Sequence, residues 1–493
     1  MTPSAAELPS PATRPTVLVE PTTRQRPRNV DLMNDWQYVE RSIHRLLAAW
    51  GRDLPEWENK SALHRHIWDQ AECVRRLRDR VEQFPSGKAD APVSARLEKL
   101  ANAVLLAPSL QDALDGIYEL LLKTLVAAYG EYIGSVHPIH DAPTIALLHE
   151  INQIKSQQWL WYRDYRRRLP HVTDATYRAR VQALLDECGQ FRTPLPVAAG
   201  AEARPAGLAT DFRLSKFSAR KVPIRPRQPF MDYVRADFAT NLEARRLFWG
   251  YGYMLEKNLP DDQLAWLYYG HYMPWAWQHI ISRHLWDESR HGDSGYSRLR
   301  DFGISLEDVG FSGYDQAVRE ETLRAEAQRL GISVDEAFTR QAELLAPFKA
   351  EPLTKAQLYE NVFMIGLVAE TGHFVVKNEG YVDFKEGQDL QSAEMMLFDI
   401  IDETAHVQYA HEWLPLLAKE AGIDNTGYRE RGVKIREDSQ ARAIATAAEL
   451  DRKLPRTPGD RSFDFYQELL ARIRTACPLS NAATCPPRSP KPM

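Results

Sequence analysis

The chain has 493 residues, of which 44% are hydrophobic and 26% are charged, and its formal net charge is -5. This length allows about two or three domains, and the apolar content excludes wholesale disorder. The longest apolar runs fall short of the roughly 18 residues that a membrane-spanning helix needs, so we expect no membrane association. The slightly acidic balance argues against nucleic acid as a partner.

We predict flexible tails at both ends of the chain. Residues 1–29 are rich in Pro, Thr and Arg, and residues 477–493 are rich in Pro, without helical periodicity in either segment. The first tail lacks the basic-then-apolar order of a secretory signal. The four cysteines form neither a disulfide framework nor a zinc pattern. A cytoplasmic protein is therefore expected.

Helical spacing dominates the region between the tails, where alternating β-type runs are almost absent. The predicted fold class is therefore all-α. Residues 194–229 break the pattern with a Pro-rich and then basic sequence, which predicts an exposed linker. It divides the chain into a helical bundle over 30–193 and a second bundle over 230–476.

The two sides of this linker share three local matches in the same order, which predicts a duplicated bundle. The matched segments are residues 51–55 with 270–274, 65–70 with 283–288, and 125–130 with 367–372.

Two Glu-x-x-His motifs, Glu288 with His291 and Glu403 with His406, carry the strongest chemical signal. Their spacing places a carboxylate and an imidazole one helical turn apart on the same face. Both motifs point toward apolar surroundings, where an ionised carboxylate is costly unless it is paired or bound to metal. A salt-bridged core Glu beside a core His is the alternative for either motif alone.

Two further glutamates match these motifs in spacing. Glu370 precedes Glu403 by 33 positions, across a turn predicted near residues 380–387, and Glu256 precedes Glu288 by 32, across the break at 270–274. In an antiparallel helix pair, residues equally far from the connecting turn come together. Each glutamate should therefore meet one Glu-x-x-His motif.

Two helices that each give a Glu, and two that each give Glu-x-x-His, form the ligand arrangement of ferritin-like di-iron carboxylate bundles. Over roughly residues 237–422 the sequence resembles that superfamily. The resemblance implies a ferritin-like bundle with two iron ions, or a manganese–iron pair, and dioxygen as co-substrate. It implies these metal ligands: Glu256, Glu288, His291, Glu370, Glu403 and His406.

The resemblance also implies an oxidase or oxygenase that hydroxylates or N-oxygenates a small organic substrate, with an external electron donor and a homodimer as further expectations. A ferroxidase or metal-handling protein is the alternative hypothesis, and a non-catalytic helical scaffold is the third.

Several positions around the six ligands stay open. Glu243 replaces Glu256 if the first helix ends before Pro260. Asp287 and Asp402 precede the motif glutamates, and in the resembled bundles such residues orient a ligating His through its second ring nitrogen. His373 completes a third Glu-x-x-His. Like His284 and Glu243 it is a possible additional or alternative ligand, and otherwise it is expected to support the ligands or line a pocket.

His284 lies one turn before Glu288 and gives the pattern His-x-x-x-Glu-x-x-His. A similar extra histidine marks arylamine N-oxygenases of the ferritin-like group, and the triplet is also similar to haem-oxygenase-like di-iron oxidases. His66 occupies the matching place in the first bundle, which favours a structural role for His284.

The repeat register predicts that the first bundle has lost the ligands. Glu256, Glu288 and Glu403 fall on Gln37, Gln70 and Gln153, so the shape of the side chain is kept and its negative charge is removed. We therefore expect a di-metal centre in the second bundle alone.

Overall fold

The computed structural model describes residues 25–85, 87–201, 211–222, 224 and 229–477, with side chains from residue 29 onward. Within these ranges the fold is all-α, which confirms the predicted class, and the extended backbone amounts to two isolated bridges, Ser215 with Lys349 and Ile224 with Phe311. In the described part of the chain, no helix combines the length and apolar character needed to cross a membrane.

The chain forms two compact units. Of the described residues, unit 1 comprises those within 25–54, 58–214 and 271–282, and unit 2 comprises those within 55–57, 215–270 and 283–477. The helices of the first part of the chain are α1 Gln25–Trp50, α2 Trp57–Glu82, α3 Ala95–Leu105, α4 Leu110–Asp115, α5 Lys123–Ser135, α6 Ala142–Arg168 and α7 Ala175–Glu187.

The remaining helices carry the candidate site. They are α8 Phe230–Asp237, α9 Leu242–Leu255, α10 Leu259–Tyr269, α11 Trp275–Asp301, α12 Leu306–Val309, α13 Gln316–Leu330, α14 Val334–Thr339, α15 Gln341–Leu345, α16 Lys355–Phe363, α17 Glu370–Glu386, α18 Leu390–Ala421, α19 Tyr428–Lys453 and α20 Arg461–Ala476. A 3-10 turn, Glu256–Asn258, separates α9 from α10.

The segment predicted as an exposed linker is partly packed. In unit 2, Phe217 is buried among apolar side chains, and buried Arg220 forms an ion pair with Asp261 and donates to the carbonyl oxygen of Lys257 at 3.0 Å. The expectation of a solvated strap is therefore wrong for these residues. The rest of this segment, at 202–210, 223 and 225–228, lies outside the described residues, as do residues 1–24 and 478–493 of the two predicted tails. Residues 25–29, which the sequence assigned to the first tail, begin α1.

Each unit contains a π-helical segment, a rare conformation that often marks functional sites. Residues Gly116–Leu122 of unit 1 lead directly into α5, and Met364–Ala369 of unit 2 lead directly into α17. The segment of unit 2 overlaps the third sequence match at 367–372, whereas the segment of unit 1 ends before its counterpart at 125–130. The two π segments are therefore not at matched positions, and the duplication stays a prediction.

Glycine permits the close approach of α9 and α11 in unit 2. A β-carbon at Gly295 would lie 2.5 Å from the backbone nitrogen of Met254 and 2.7 Å from the carbonyl oxygen of Gly250. These are backbone atoms, which cannot rotate away. The contact holds the end of α9 beside the turn of α11 that follows His291.

We expect Gly295→Ala to destabilise the protein by about 1–3 kcal/mol, because the new methyl group overpacks the contact between α9 and α11. The matched control is Gly252→Ala on α9, where a β-carbon would meet nothing within 4 Å. The control should be neutral or stabilising by up to about 1 kcal/mol. Urea unfolding followed by circular dichroism checks both variants, and equal midpoints would contradict the packing argument.

Candidate metal centre

Four segments of unit 2 bring the candidate ligands together. The 3-10 turn between α9 and α10 supplies Glu256, and α11 supplies Glu288 with His291. α17 begins with Glu370 directly after the π segment, and α18, which packs against α17, supplies Glu403 with His406.

Local sequence explains two of these placements. Pro260 stands in the first turn of α10, where its missing N–H costs no helical hydrogen bond, so a new helix starts after Glu256. In the π segment, Gly366 lies against α18, and a β-carbon there would be 3.0 Å from the methyl group of Ala410. The absence of a side chain thus lets the helix that bears Glu370 approach α18.

The side chains form three overlapping groups in which the potential ligand atoms all lie within 4.8 Å of one another. The groups are His284, Glu288, Glu370 and His406; Glu256, Glu288 and His291; and His291, Asp399 and Glu403. Glu288 and His291 each belong to two groups. All six predicted ligands are therefore in one continuous cluster, as a pair of nearby metal ions would require.

The hydrogen bonds of the cluster are incomplete. Five buried atoms of the cluster have no hydrogen-bond partner in the described part of the chain: Glu256 Oε2, Glu288 Oε2, His291 Nδ1, Glu370 Oε1 and Asp399 Oδ1. Leaving one such atom unpaired costs about 1–3 kcal/mol, and more for a charged group. A cation among them would satisfy these atoms together.

Distances around the imidazoles fit this interpretation. His291 Nδ1 lies 3.3 Å from Asp399 Oδ1, 3.5 Å from Glu256 Oε2 and 3.7 Å from Glu288 Oε2. Ligand atoms that are each about 2.1 Å from one metal ion lie about 3–4 Å apart. The donor set of imidazole and carboxylate is one that iron and manganese accept.

Two aspartates contact the Nε2 atoms of the histidines, and each aspartate lies on the helix opposite its histidine. Asp287 of α11 lies with Oδ2 3.4 Å from Nε2 of His406 on α18, and Asp402 of α18 lies with Oδ2 3.2 Å from Nε2 of His291 on α11. Each Nδ1 is thereby left facing the cluster. Contacts of this kind fix the tautomer and the orientation of a ligating imidazole.

Two arginines of α11 neutralise these aspartates. Arg283 Nε donates to Asp287 Oδ1 at 2.7 Å, and Arg290 Nη2 donates to Asp402 Oδ2 at 2.7 Å and also to Asp287. The outer pair of carboxylates is therefore balanced by two guanidinium groups. No arginine contacts the inner carboxylates in the described part of the chain, where Asp399 and Glu403 instead meet the ammonium group of Lys377.

The pKa shifts reflect this crowding of charge. Burial opposes protonation of His291 and His406, but nearby carboxylates, led by Asp399 for His291 and Asp287 for His406, raise the pKa of both imidazoles well above the usual value. Burial likewise opposes ionisation of Glu288, yet its contacts with His284 and His291 lower its pKa to about 2. In Glu256, burial raises the pKa well above the usual range.

Of the three alternative ligands, His284 lies in the cluster, and Glu243 and His373 lie outside it. Glu243 lies near the start of α9, outside the cluster, and accepts from Arg474 Nε at 3.3 Å, whereas Glu256 is in the cluster. His284 belongs to the first group, with Nε2 3.0 Å from Glu288 Oε1, although the sequence favoured a structural role. His373 is on α17 outside the three groups.

The turn between α17 and α18 lies at 387–389, later than predicted, because α17 continues through Gly380.

Sequence reasoning missed two members of the site, Asp399 and Lys377. Asp399 precedes Glu403 by one helical turn on α18, and Lys377 follows Glu370 by two turns on α17. Both spacings place the residue on the same helical face as the known candidate. Extending the search by whole turns from each motif would have found them.

Unit 1 has a different buried polar centre. Lys155 Nζ lies 2.6 Å from Glu40 Oε2 and also donates to Gln70, and Tyr129 donates to Glu40 Oε1 at 2.8 Å. Gln70 is thus in the core, as its match to Glu288 requires. Gln153, by contrast, is exposed, so its predicted equivalence to Glu403 does not describe the core of unit 1.

Comparisons with models of protein families, with curated proteins and with solved structures found no match to this chain.

We expect the affinity for Mn²⁺ to rise with pH between 6.5 and 8. The raised pKa of His291 and His406 means that both imidazoles hold a proton in the metal-free protein at neutral pH, and a metal ion must displace it. Each displaced proton contributes about a tenfold change in affinity per pH unit. His411→Ala, which removes a histidine outside the cluster, should keep the same slope, and a pH-independent affinity would contradict the proton competition.

Proposed function

We propose that unit 2 is a non-haem di-iron protein that uses dioxygen to oxidise a small organic substrate, with a manganese–iron pair as the alternative metal content. The observation that carries the proposal is the set of buried carboxylate and imidazole atoms that have no hydrogen-bond partner among the described residues and that lie in three overlapping groups. Two irons held by these carboxylates and imidazoles would supply electrons for the reduction of dioxygen, and an external donor would be needed to replace those electrons.

Glu288 is the residue best placed to be shared by both metal positions, because it belongs to two of the three groups. Asp287 and Asp402 contact the Nε2 atoms of His406 and His291, and this orientation leaves each Nδ1 directed toward the cluster. Their arginine partners hold these carboxylates ionised. The protein therefore supplies oriented ligands without a rearrangement of the helices.

The cluster is most exposed to solvent on the side of Glu256. Its side chain is 18% exposed, whereas that of Glu288 is 1% exposed. Asn258, two residues later, donates to the carbonyl oxygen of Ser312 at 3.1 Å and ties this turn to the segment that follows α12. We expect dioxygen and substrate to approach between these segments.

His284 supports N-oxygenation over hydroxylation. It adds a second imidazole to the group that contains Glu370 and His406, and an extra histidine of this kind marks the arylamine N-oxygenases of the resembled superfamily. An aromatic amine is therefore the first substrate class to test, with haem-oxygenase-like oxidase chemistry as the alternative.

We expect Glu288→Gln to remove most metal binding, because the substitution keeps the shape of a shared ligand and removes its charge. Gln70→Ala is the control, since Gln70 is its predicted counterpart in unit 1. Metal content after anaerobic reconstitution with Fe²⁺ should be about two ions per chain for the wild type and for the control. Equal loss in both variants would contradict a centre confined to unit 2.

The iron-loaded protein should consume dioxygen together with an added arylamine and give an N-oxygenated product, measured by an oxygen electrode and mass spectrometry. Iron oxidation without an organic product would instead select the ferroxidase alternative. A wild-type protein that binds neither iron nor manganese would select the non-catalytic scaffold.

A further inference from the structure

A buried ammonium group stands beside the metal cluster. Lys377 of α17 is 1% exposed, and its Nζ lies 2.7 Å from Asp399 Oδ2 and 2.9 Å from Glu403 Oε1. Burial opposes its charge, but the negative charges of Asp399 and Glu403 outweigh burial and raise the pKa of Lys377 well above its usual value. Two carboxylates of the cluster therefore hold this ammonium group in place.

The ammonium group of Lys377 lies on one side of the cluster. We call the group of His284, Glu288, Glu370 and His406 the two-histidine position, and the group of His291, Asp399 and Glu403 the lysine-side position. Lys377 contacts two of the three residues at the lysine-side position. Among the described residues it forms no hydrogen bond or ion pair with a member of the two-histidine position.

Asp399 also accepts a hydrogen bond from the hydroxyl group of a tyrosine. Tyr253 donates to Asp399 Oδ2 at 2.7 Å, on the same oxygen that meets Lys377, while Asp399 Oδ1 has no hydrogen-bond partner and faces His291 Nδ1. One carboxylate oxygen is thus held by the protein and the other is open to a cation.

We propose that Lys377 makes the two metal positions unequal, so that the two-histidine position binds a divalent cation first and tightly and the lysine-side position binds one later and more weakly. The inference rests on the proposed di-metal function. An ammonium group repels a nearby divalent cation, and its hydrogen bonds occupy an oxygen of both Asp399 and Glu403. At limiting metal the protein should therefore hold one ion per chain.

The test is a titration of the metal-free chain with Mn²⁺, in which electron paramagnetic resonance measures the free ion. The wild type should show one tight and one weaker class of site. Lys377→Met should tighten the weaker class by at least about tenfold, because it removes the repulsion and releases two carboxylates. Lys377→Arg, which keeps the charge, should preserve the two classes.

Lys385→Met is the matched control, since Lys385 is exposed on the same helix and the substitution is the same. It should leave both classes unchanged. Asp399→Asn provides a second test if Lys377→Met does not fold, and it should weaken the lysine-side class while the tight class persists.

The outcomes separate the inference from the function on which it rests. Two equal classes in the wild type, no tightening in folded Lys377→Met, or equal weakening of both classes in Asp399→Asn would overturn the role of Lys377. Wild-type binding of Mn²⁺ that Glu288→Gln leaves intact would overturn the proposed di-metal function itself.

Discussion

The burial of negative charge is the constraint on which unit 2 depends. Five carboxylates meet in the cluster, and the Lys377 ammonium group pairs with two of them, Asp399 and Glu403. Ionised carboxylates removed from water are costly unless opposite charge accompanies them. Two divalent cations and Lys377 together carry five positive charges, which equals the number of carboxylates when the imidazoles are neutral. The proposed di-metal centre would therefore be neutral in charge.

Unit 1 balances its buried negative charge with a lysine. Its core contains Glu40 with the ammonium group of Lys155, and Gln70 and Tyr129 complete the hydrogen bonds of this pair. One negative charge is matched by one positive charge, so no cation from solution is needed. If the two units are duplicates, replacement of a carboxylate by Gln70 and the presence of a buried lysine account for the absence of a metal cluster in the described part of unit 1.

Local spacing made much of the site predictable. Within Glu288-x-x-His291 and Glu403-x-x-His406, one helical turn fixes which side chains share a face. The crosswise contacts of Asp287 and Asp402 could not be assigned from spacing, because they depend on how α11 and α18 pack. The basic segment was misread for a related reason, since the partner of its Arg220 lies far along the chain.

Charge also explains how the cluster can be formed before metal arrives. In the metal-free protein, Lys377 and the protonated imidazoles of His291 and His406 supply positive charge among the carboxylates. The helices can therefore pack around the cluster without a bound ion, unlike small domains that fold only with metal. In the proposed function, metal binding would exchange protons for a cation within an existing arrangement.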